Sequence, residues 1–339
     1  MAVTEIDQPA LASLPWLEAS KQRLLDQIAQ QRLPHALLFS GPNGIGKWQL
    51  MRWLSDRLLC ASPNAEGACG QCRSCLLIAA GSHPDLLILE AEKNTIGVDL
   101  VRQAIATLSE TAHQQGARVV LINNAQQMTE SAANALLKTL EEPGQSAFLL
   151  LSAPSAGQLV ATITSRCQEH LVALPDEQLA LQWLQQQGVT AELSHLRLNG
   201  GAPLRTKQFI DQQLHNKLDA FLVRLLAVVN GEPPAKELID DAVADFPASY
   251  HWLSALLLDL QKVIAGLQPH HLMFSRHWTE LQAIADRLHF QSPDWAPWLS
   301  HWQPILAASG LNHSMQWQAM LLELQDKLAQ PQQPLLSSR

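Results

Sequence analysis

Gly41-Pro42-Asn43-Gly44-Ile45-Gly46-Lys47-Trp48 follows the apolar run Ala36-Leu37-Leu38-Phe39-Ser40 and precedes Leu50, Trp53, Leu54, Leu58 and Leu59, which recur at helical spacing. Strand, glycine loop and helix in that order are the setting in which G-x-x-x-x-G-K binds phosphate. Gly41, Gly44 and Gly46 let backbone N–H groups approach phosphate oxygens, and Lys47 neutralises their charge. The next position calls for Ser or Thr, whose hydroxyl holds the Mg²⁺ of a bound triphosphate; Trp48 offers no oxygen. The loop therefore keeps its phosphate-binding glycines and lysine without its metal ligand. Retention as a tight turn alone is the competing explanation.

Further along, Leu86-Leu87-Ile88-Leu89, Arg118-Val119-Val120-Leu121-Ile122 and Phe148 to Ser152 read as three more apolar strands, with helical patterns between them. Such alternation predicts a parallel α/β sheet of the P-loop type. In a P-loop ATPase the strand ending at Ile122 should run into Asp, for metal, and Glu, to polarise water. Asn123 and Asn124 stand there instead. An amide keeps the shape of a carboxylate but neither its charge nor its basicity. A helix over Thr129 to Thr139 is expected to end at Leu140-Glu141-Glu142-Pro143-Gly144, where Pro and Gly terminate it.

From about residue 175 the composition shifts to Leu, Gln and Ala, with helical patterns over Gln178 to Gln187 and Ala191 to Leu198 and a break at Gly200-Gly201-Ala202-Pro203. Residues 1–170 are thus expected to form the α/β domain, 171–207 a small helical lid, and 208–339 an all-α domain. Trp295, Trp298 and Trp302 share one helical face in the last of these, which suits a helix core or a subunit contact. Base stacking would want interleaved Lys and Arg, which this region lacks.

The chain has five cysteines, four of them at Cys60, Cys69, Cys72 and Cys75 among small and polar residues. Four thiolates satisfy the tetrahedral shell of Zn²⁺, and the two short spacings let tight turns aim the sulfurs at one point. A closed shell of that kind is structural; small buried residues or a redox pair are the alternative. Cys167 stands apart and fits core or strand-end packing. A formal net charge of -8 over 339 residues argues against a generic nucleic-acid binder that covers phosphates with Lys and Arg. No apolar run approaches the roughly 20 residues that span a bilayer, and no leader pattern opens the chain, so a soluble cytoplasmic protein with no membrane partner is expected.

Leu33-Pro34-His35-Ala36-Leu37-Leu38-Phe39, Gly41 to Lys47, the four cysteines, Asn134-Ala135-Leu136-Leu137-Lys138-Thr139-Leu140-Glu141-Glu142-Pro143 and Ser165-Arg166-Cys167 occur in the order seen in bacterial sliding-clamp loaders of the AAA+ class, within the DNA polymerase III holoenzyme. The chain resembles that family over its first 210 residues. The resemblance implies a gapped pentameric ring of AAA+ modules with a C-terminal helical collar and with ATP held at subunit interfaces. Ser165-Arg166-Cys167 matches the segment that presents an arginine finger to a neighbour's ATP, so Arg166 would be catalytic in trans; an arginine in an intramolecular ion pair is the alternative.

Motor subunits of these loaders carry Thr or Ser at the position of Trp48 and Asp-Glu at those of Asn123 and Asn124. The departures imply a subunit that does not hydrolyse ATP and serves as a stator. Its partners would be motor subunits of the gamma/tau type and a delta-type subunit, with the sliding clamp and primer-template DNA engaged through the complex. Arg205 lies near where related subunits place a second sensor arginine, but its spacing differs and the role is not carried over. An active P-loop ATPase with other metal ligands and a zinc-dependent nucleic-acid-binding module are the competing function classes.

Overall fold

The computed structural model describes residues 10–91, 95–109, 116–144, 146–288, 294–308 and 312–329. Ala36–Ser40 (β1) and Arg118–Ile122 (β3) are buried at every position, as strands covered on both faces must be, Ala147–Ala153 (β4) is buried at all but one, and Leu86–Leu89 (β2), at the sheet edge, is half-buried except at Leu89. A fifth strand, Gln168–Leu171 (β5), completes a parallel sheet of order β2-β3-β4-β1-β5. β5 was not expected from the sequence, because three of its four residues are exposed at the sheet edge and carry little apolar signal.

Helices Glu18–Ala29 (α1), Lys47–Leu59 (α2), Arg73–Ala79 (α3), Val98–Ser109 (α4), Glu130–Glu141 (α5) and Ala161–Thr164 (α6) accompany the sheet. Thr129 caps α5, its hydroxyl accepting from the Ala132 N–H at 3.2 Å. That helix runs through Glu141, inside the Leu140 to Gly144 stretch at which its end was expected, so Glu141 is a helical side chain. Buried residues of β1, β3 and β4 pack with Val101, Ala104 and Leu108 of α4 and Ala132, Leu136 and Leu140 of α5 into one core. Arg118 and Asp85 form a buried ion pair at 3.7 Å where β2 and β3 begin.

The remaining helices are Glu177–Gln186 (α7), Leu193–Leu198 (α8), Pro203–Asp211 (α9), Leu214–Val229 (α10), Lys236–Ala244 (α11), Phe246–Ile264 (α12), Trp278–Arg287 (α13), Trp295–Ala307 (α14) and His313–Ala329 (α15). The chain divides into two compact units, one of Met1–Trp183 with Ala202–Arg205, the other of Leu184–Gly201 with Thr206–Arg339. In the second, α10 and α12 supply much of a helical core together with Leu281 and Ile284 of α13 and Trp317 and Leu321 of α15. Trp295, Trp298 and Trp302 all point into that core, and Trp302 donates to Glu323 at 3.0 Å. Their common face is therefore helix core, and no ring is left open for stacking. Among the described residues no helix is long and apolar enough to cross a membrane.

Candidate functional site

The phosphate loop begins where β1 ends, at the carboxyl edge of the sheet, the usual place for ligand chemistry in an open parallel sheet. Gly46 takes a left-handed conformation (φ +95) and starts α2, so Lys47 is the first residue of the helix. The lysine folds back on its own loop. Its ammonium donates to the carbonyls of Gly41 at 2.6 Å and Pro42 at 2.8 Å and to Asn43 Oδ1 at 3.3 Å. Burial lowers its pKa to about 8.

All three glycines meet protein atoms. A Cβ on Gly41 would stand 2.4 Å from the Val172 carbonyl oxygen, one on Gly46 would stand 2.7 Å from Leu17 Cδ1, and one on Gly44 would stand 2.6 Å from Arg205 Cβ. Trp16 Nε1 donates to the Ile45 carbonyl at 2.8 Å, and the Leu204 N–H donates to the Gly44 carbonyl at 3.1 Å. The start of α9 and the segment before α1 thus pack against the loop and donate to its carbonyl oxygens. Arg205, whose spacing left its role open, lies against the loop.

Asn123 and Asn124 follow β3. Ser152, on the adjacent strand β4, donates its hydroxyl to Asn123 Oδ1 at 2.9 Å and accepts from the Asn124 N–H at 2.9 Å. These bonds give Asn123 Oδ1 and the Asn124 N–H a neutral partner within the sheet. Neither Asn can supply negative charge to a metal or take a proton from water, and Trp48 is half-buried at the third position where an oxygen would be needed. Ser152 escaped the sequence reading, since it looks like any strand-end serine until β4 is laid beside β3.

At the other end of α2 the four cysteines come together. Cys60 caps the helix C-terminus, Cys72 caps the N-terminus of α3, and Cys75 lies within α3. Sulfurs about 2.3 Å from a tetrahedral centre stand about 3.8 Å apart. Here Cys60–Cys72 and Cys69–Cys75 are each 3.9 Å apart, Cys72–Cys75 is 3.4 Å, and all four sulfurs lie within 4.8 Å of one another. Backbone N–H groups of Cys69, Cys72 and Cys75 point at sulfurs of the set, at 3.2, 3.4 and 3.5 Å, as they would at thiolates. Such bonds pull the Cys72 thiol down to about 6, whereas burial pushes Cys75 up to about 12. The donor set fits a metal ion. The intervening loop is tied to α2, with Trp53 Nε1 donating to the Glu66 carbonyl at 2.8 Å and Gly67 lying close against the same indole.

Arg166 follows α6, away from the phosphate loop in sequence. Its Nε donates to Glu141 Oε1 at 2.8 Å, its second terminal nitrogen bonds the same oxygen, and the first donates to the Thr162 carbonyl at 3.0 Å and Ser165 Oγ at 3.2 Å. Within this chain, then, the arginine makes the intramolecular ion pair that the sequence left open as the alternative to a finger. The next residue, Cys167, is buried, and burial pushes its thiol up to about 11, which suits packing rather than reactivity. Glu141 was read only as part of a helix stop; its pairing with Arg166 spans 25 residues and has no local signal.

The family model described as DNA polymerase III, delta subunit, matches residues 16–175. The chain is 38% identical over 258 residues to the DNA polymerase III subunit delta' of Yersinia pestis, covering 73% of this chain and 76% of that one. It is also 38% identical over 265 residues to the subunit of the same name from Escherichia coli K12, with 73% and 76% covered. Among solved structures, a DNA polymerase III gamma subunit-related protein of Thermotoga maritima aligns over 91% of this chain and 99% of its own, at 18% identity and a TM-score of 0.46.

Proposed function

The chain belongs to the delta' family of DNA polymerase III subunits, and from that premise we propose that it is the non-hydrolysing stator of a clamp-loader complex. The observation that carries this reading is the corner at the carboxyl edge of the sheet. Trp48, Asn123 and Asn124 occupy the places of a metal-binding hydroxyl, a metal-binding carboxylate and a water-polarising carboxylate, and Ser152 bonds the side-chain amide of Asn123 and the backbone N–H of Asn124. One such loss leaves a weakened ATPase, but three at one metal and one water leave none. The loop glycines persist because Leu17, Val172 and Arg205 pack where a side chain would go, so Gly41, Gly44, Gly46 and Lys47 have a structural use without nucleotide.

On this reading Arg166 serves a neighbour's ATP in trans. A guanidinium is always charged and binds phosphate oxygens in a fixed fork. Exchanging Glu141 for a phosphate costs little, since exposed ion pairs are worth about 0–1 kcal/mol. Cys60, Cys69, Cys72 and Cys75 hold one structural Zn²⁺, whose charge four thiolates suit better than a harder cation. Residues 1–170, 171–207 and 208–339 act as ATPase-like module, lid and collar. Motor subunits of the gamma/tau type and a delta-type subunit are the neighbours, in the cytoplasm, with the sliding clamp and primer-template DNA reached through the assembly.

The test uses both the isolated chain and a reconstituted loader. The purified chain should release no phosphate from ATP, and Arg166→Ala should lower DNA-stimulated hydrolysis by the complex about 1,000-fold or more at the site it serves. Robust turnover by the isolated chain would overturn the silent-site reading. Normal hydrolysis and clamp loading by the Arg166→Ala complex would remove the finger.

A further inference from the structure

We propose that Glu141 is a positioning residue for Arg166: its carboxylate occupies, in the unassembled chain, the guanidinium edge that a neighbour's phosphate takes in the complex. This rests on the reading of Arg166 as a finger in trans.

The guanidinium is used asymmetrically. One terminal nitrogen is tied to the segment that carries it, through the Thr162 carbonyl at 3.0 Å and Ser165 Oγ at 3.2 Å. Those bonds fix where the group sits. The opposite edge, made of Nε and the other terminal nitrogen, meets Glu141 Oε1. That edge is the one whose parallel N–H groups match a carboxylate or a phosphate, so both anions compete for the same place. The Arg166 and Glu141 side chains are 34% and 51% exposed, which leaves the pair open to solvent and to a docking surface. Glu141 itself is anchored as the last residue of α5, with the following N–H of Glu142 donating to the Lys138 carbonyl. A carboxylate on a fixed helix end holds the finger edge-outward before assembly, and it leaves when a more highly charged oxyanion arrives.

Competition of this kind shows in substrate affinity. Removing the Glu141 charge weakens the resting partner and leaves the Thr162 and Ser165 tethers in place. In a loader reconstituted with the full chain, Glu141→Gln should lower the KM for ATP about two- to fivefold, the amount an exposed pair can supply, with kcat nearly unchanged. Glu141→Asp, which restores the charge, should return KM toward the parent value. Glu142→Gln removes the same charge one residue further on and should leave KM where it was. An unchanged KM for Glu141→Gln, or a fall in kcat alone, would refute the exchange. Thermal unfolding of the isolated Glu141→Gln chain, matching the parent, shows that the fold is intact. Arg166→Ala separates the two ideas. If hydrolysis survives it, the finger reading fails first; if hydrolysis is lost there while Glu141→Gln leaves KM unmoved, the finger stands and the exchange does not.

Discussion

Gly44, in the phosphate loop, lies against the backbone of Arg205 so closely that an added Cβ would stand 2.8 Å from the Arg205 nitrogen and 2.6 Å from its Cβ. Gly44 also has φ +82. Two costs therefore fall on Gly44→Ala, a left-handed conformation and an overpacked contact with backbone that cannot swing away; together they should destabilise the chain by about 2–4 kcal/mol. Gly81 has φ +65 with nothing within 4 Å of its added Cβ, so Gly81→Ala should cost only the conformational part, about 1–2 kcal/mol. Urea midpoints of the two variants measure the difference.

Ser152→Ala should cost about 1–2 kcal/mol, because the buried hydroxyl serves Asn123 and Asn124 at once and both lose a partner. Ser152→Thr keeps the hydroxyl and should recover part of the loss. Denaturant titration of the isolated chain reads both, and equal stability of parent and Ser152→Ala would mean that water replaces the hydroxyl freely.

Metal analysis of protein purified without chelators should give about one zinc per chain, and Cys72→Ser should lower it sharply. Cys72 is chosen because its sulfur faces both Cys60 and Cys75. Stripping the metal should loosen the loop held by Trp53 and expose Arg73 to trypsin, while the sheet, which draws no residue from the site, stays folded. Resistance of the stripped chain to trypsin at Arg73 would show that the cysteine cluster is held by packing alone.

His170 on β5 packs beside Phe39 at 5.4 Å, and burial, helped by the charge of Arg23, lowers its pKa from 6.5 to about 4. The unfolded chain takes up a proton near pH 6.5 whereas the folded chain does so only near pH 4. Stability is therefore full above pH 6.5 and is lost as pH falls toward 4, by an amount on the order of 3 kcal/mol at about 1.4 kcal/mol per pH unit. His170→Gln should flatten the stability profile between about pH 6.5 and 5, before most carboxylates titrate. An unchanged slope would place the proton uptake elsewhere.

Arg166→Ala should alter the stability of the isolated chain by less than about 1 kcal/mol, since its ion pair with Glu141 is exposed. A large loss on thermal melting would mean that the arginine supports the fold, and any effect on the complex would then have to be read through it.

Much of the α/β frame was legible. β1, β2 and β3 have the bounds that the apolar runs indicate, and β4 adds one residue at each end. Burial on both faces writes β1, β3 and β4 plainly into sequence, and β2 keeps an all-apolar run although three of its four residues are only half-buried. β5 left no comparable mark, because its outer edge and three of its four side chains face away from the core and β1 supplies its hydrogen bonds. Among the site residues, the loop, the cysteines, the two asparagines and Arg166 were all visible as local patterns. Ser152, Glu141 and the approach of Arg205 were not, since each acquires its meaning from a partner distant in the chain.

The sequence by itself determined which groups stand in the loop and after β3. Trp48, Asn123 and Asn124 lack the oxygen, charge and basicity that metal and water require, and no packing can give an indole or an amide those properties. It also determined that Cys69, Cys72 and Cys75 would lie close together, because their short spacings allow little else, whereas the fold of the loop on α2 brings Cys60 to them. Only the tertiary structure decided how these groups were partnered: Lys47 turned onto its own loop, Ser152 bridging the asparagines, Arg205 laid against Gly44, and Arg166 held by Glu141. Each of these is a contact between groups whose individual preferences are weak, and it exists because the sheet and its helices bring those groups within bonding distance.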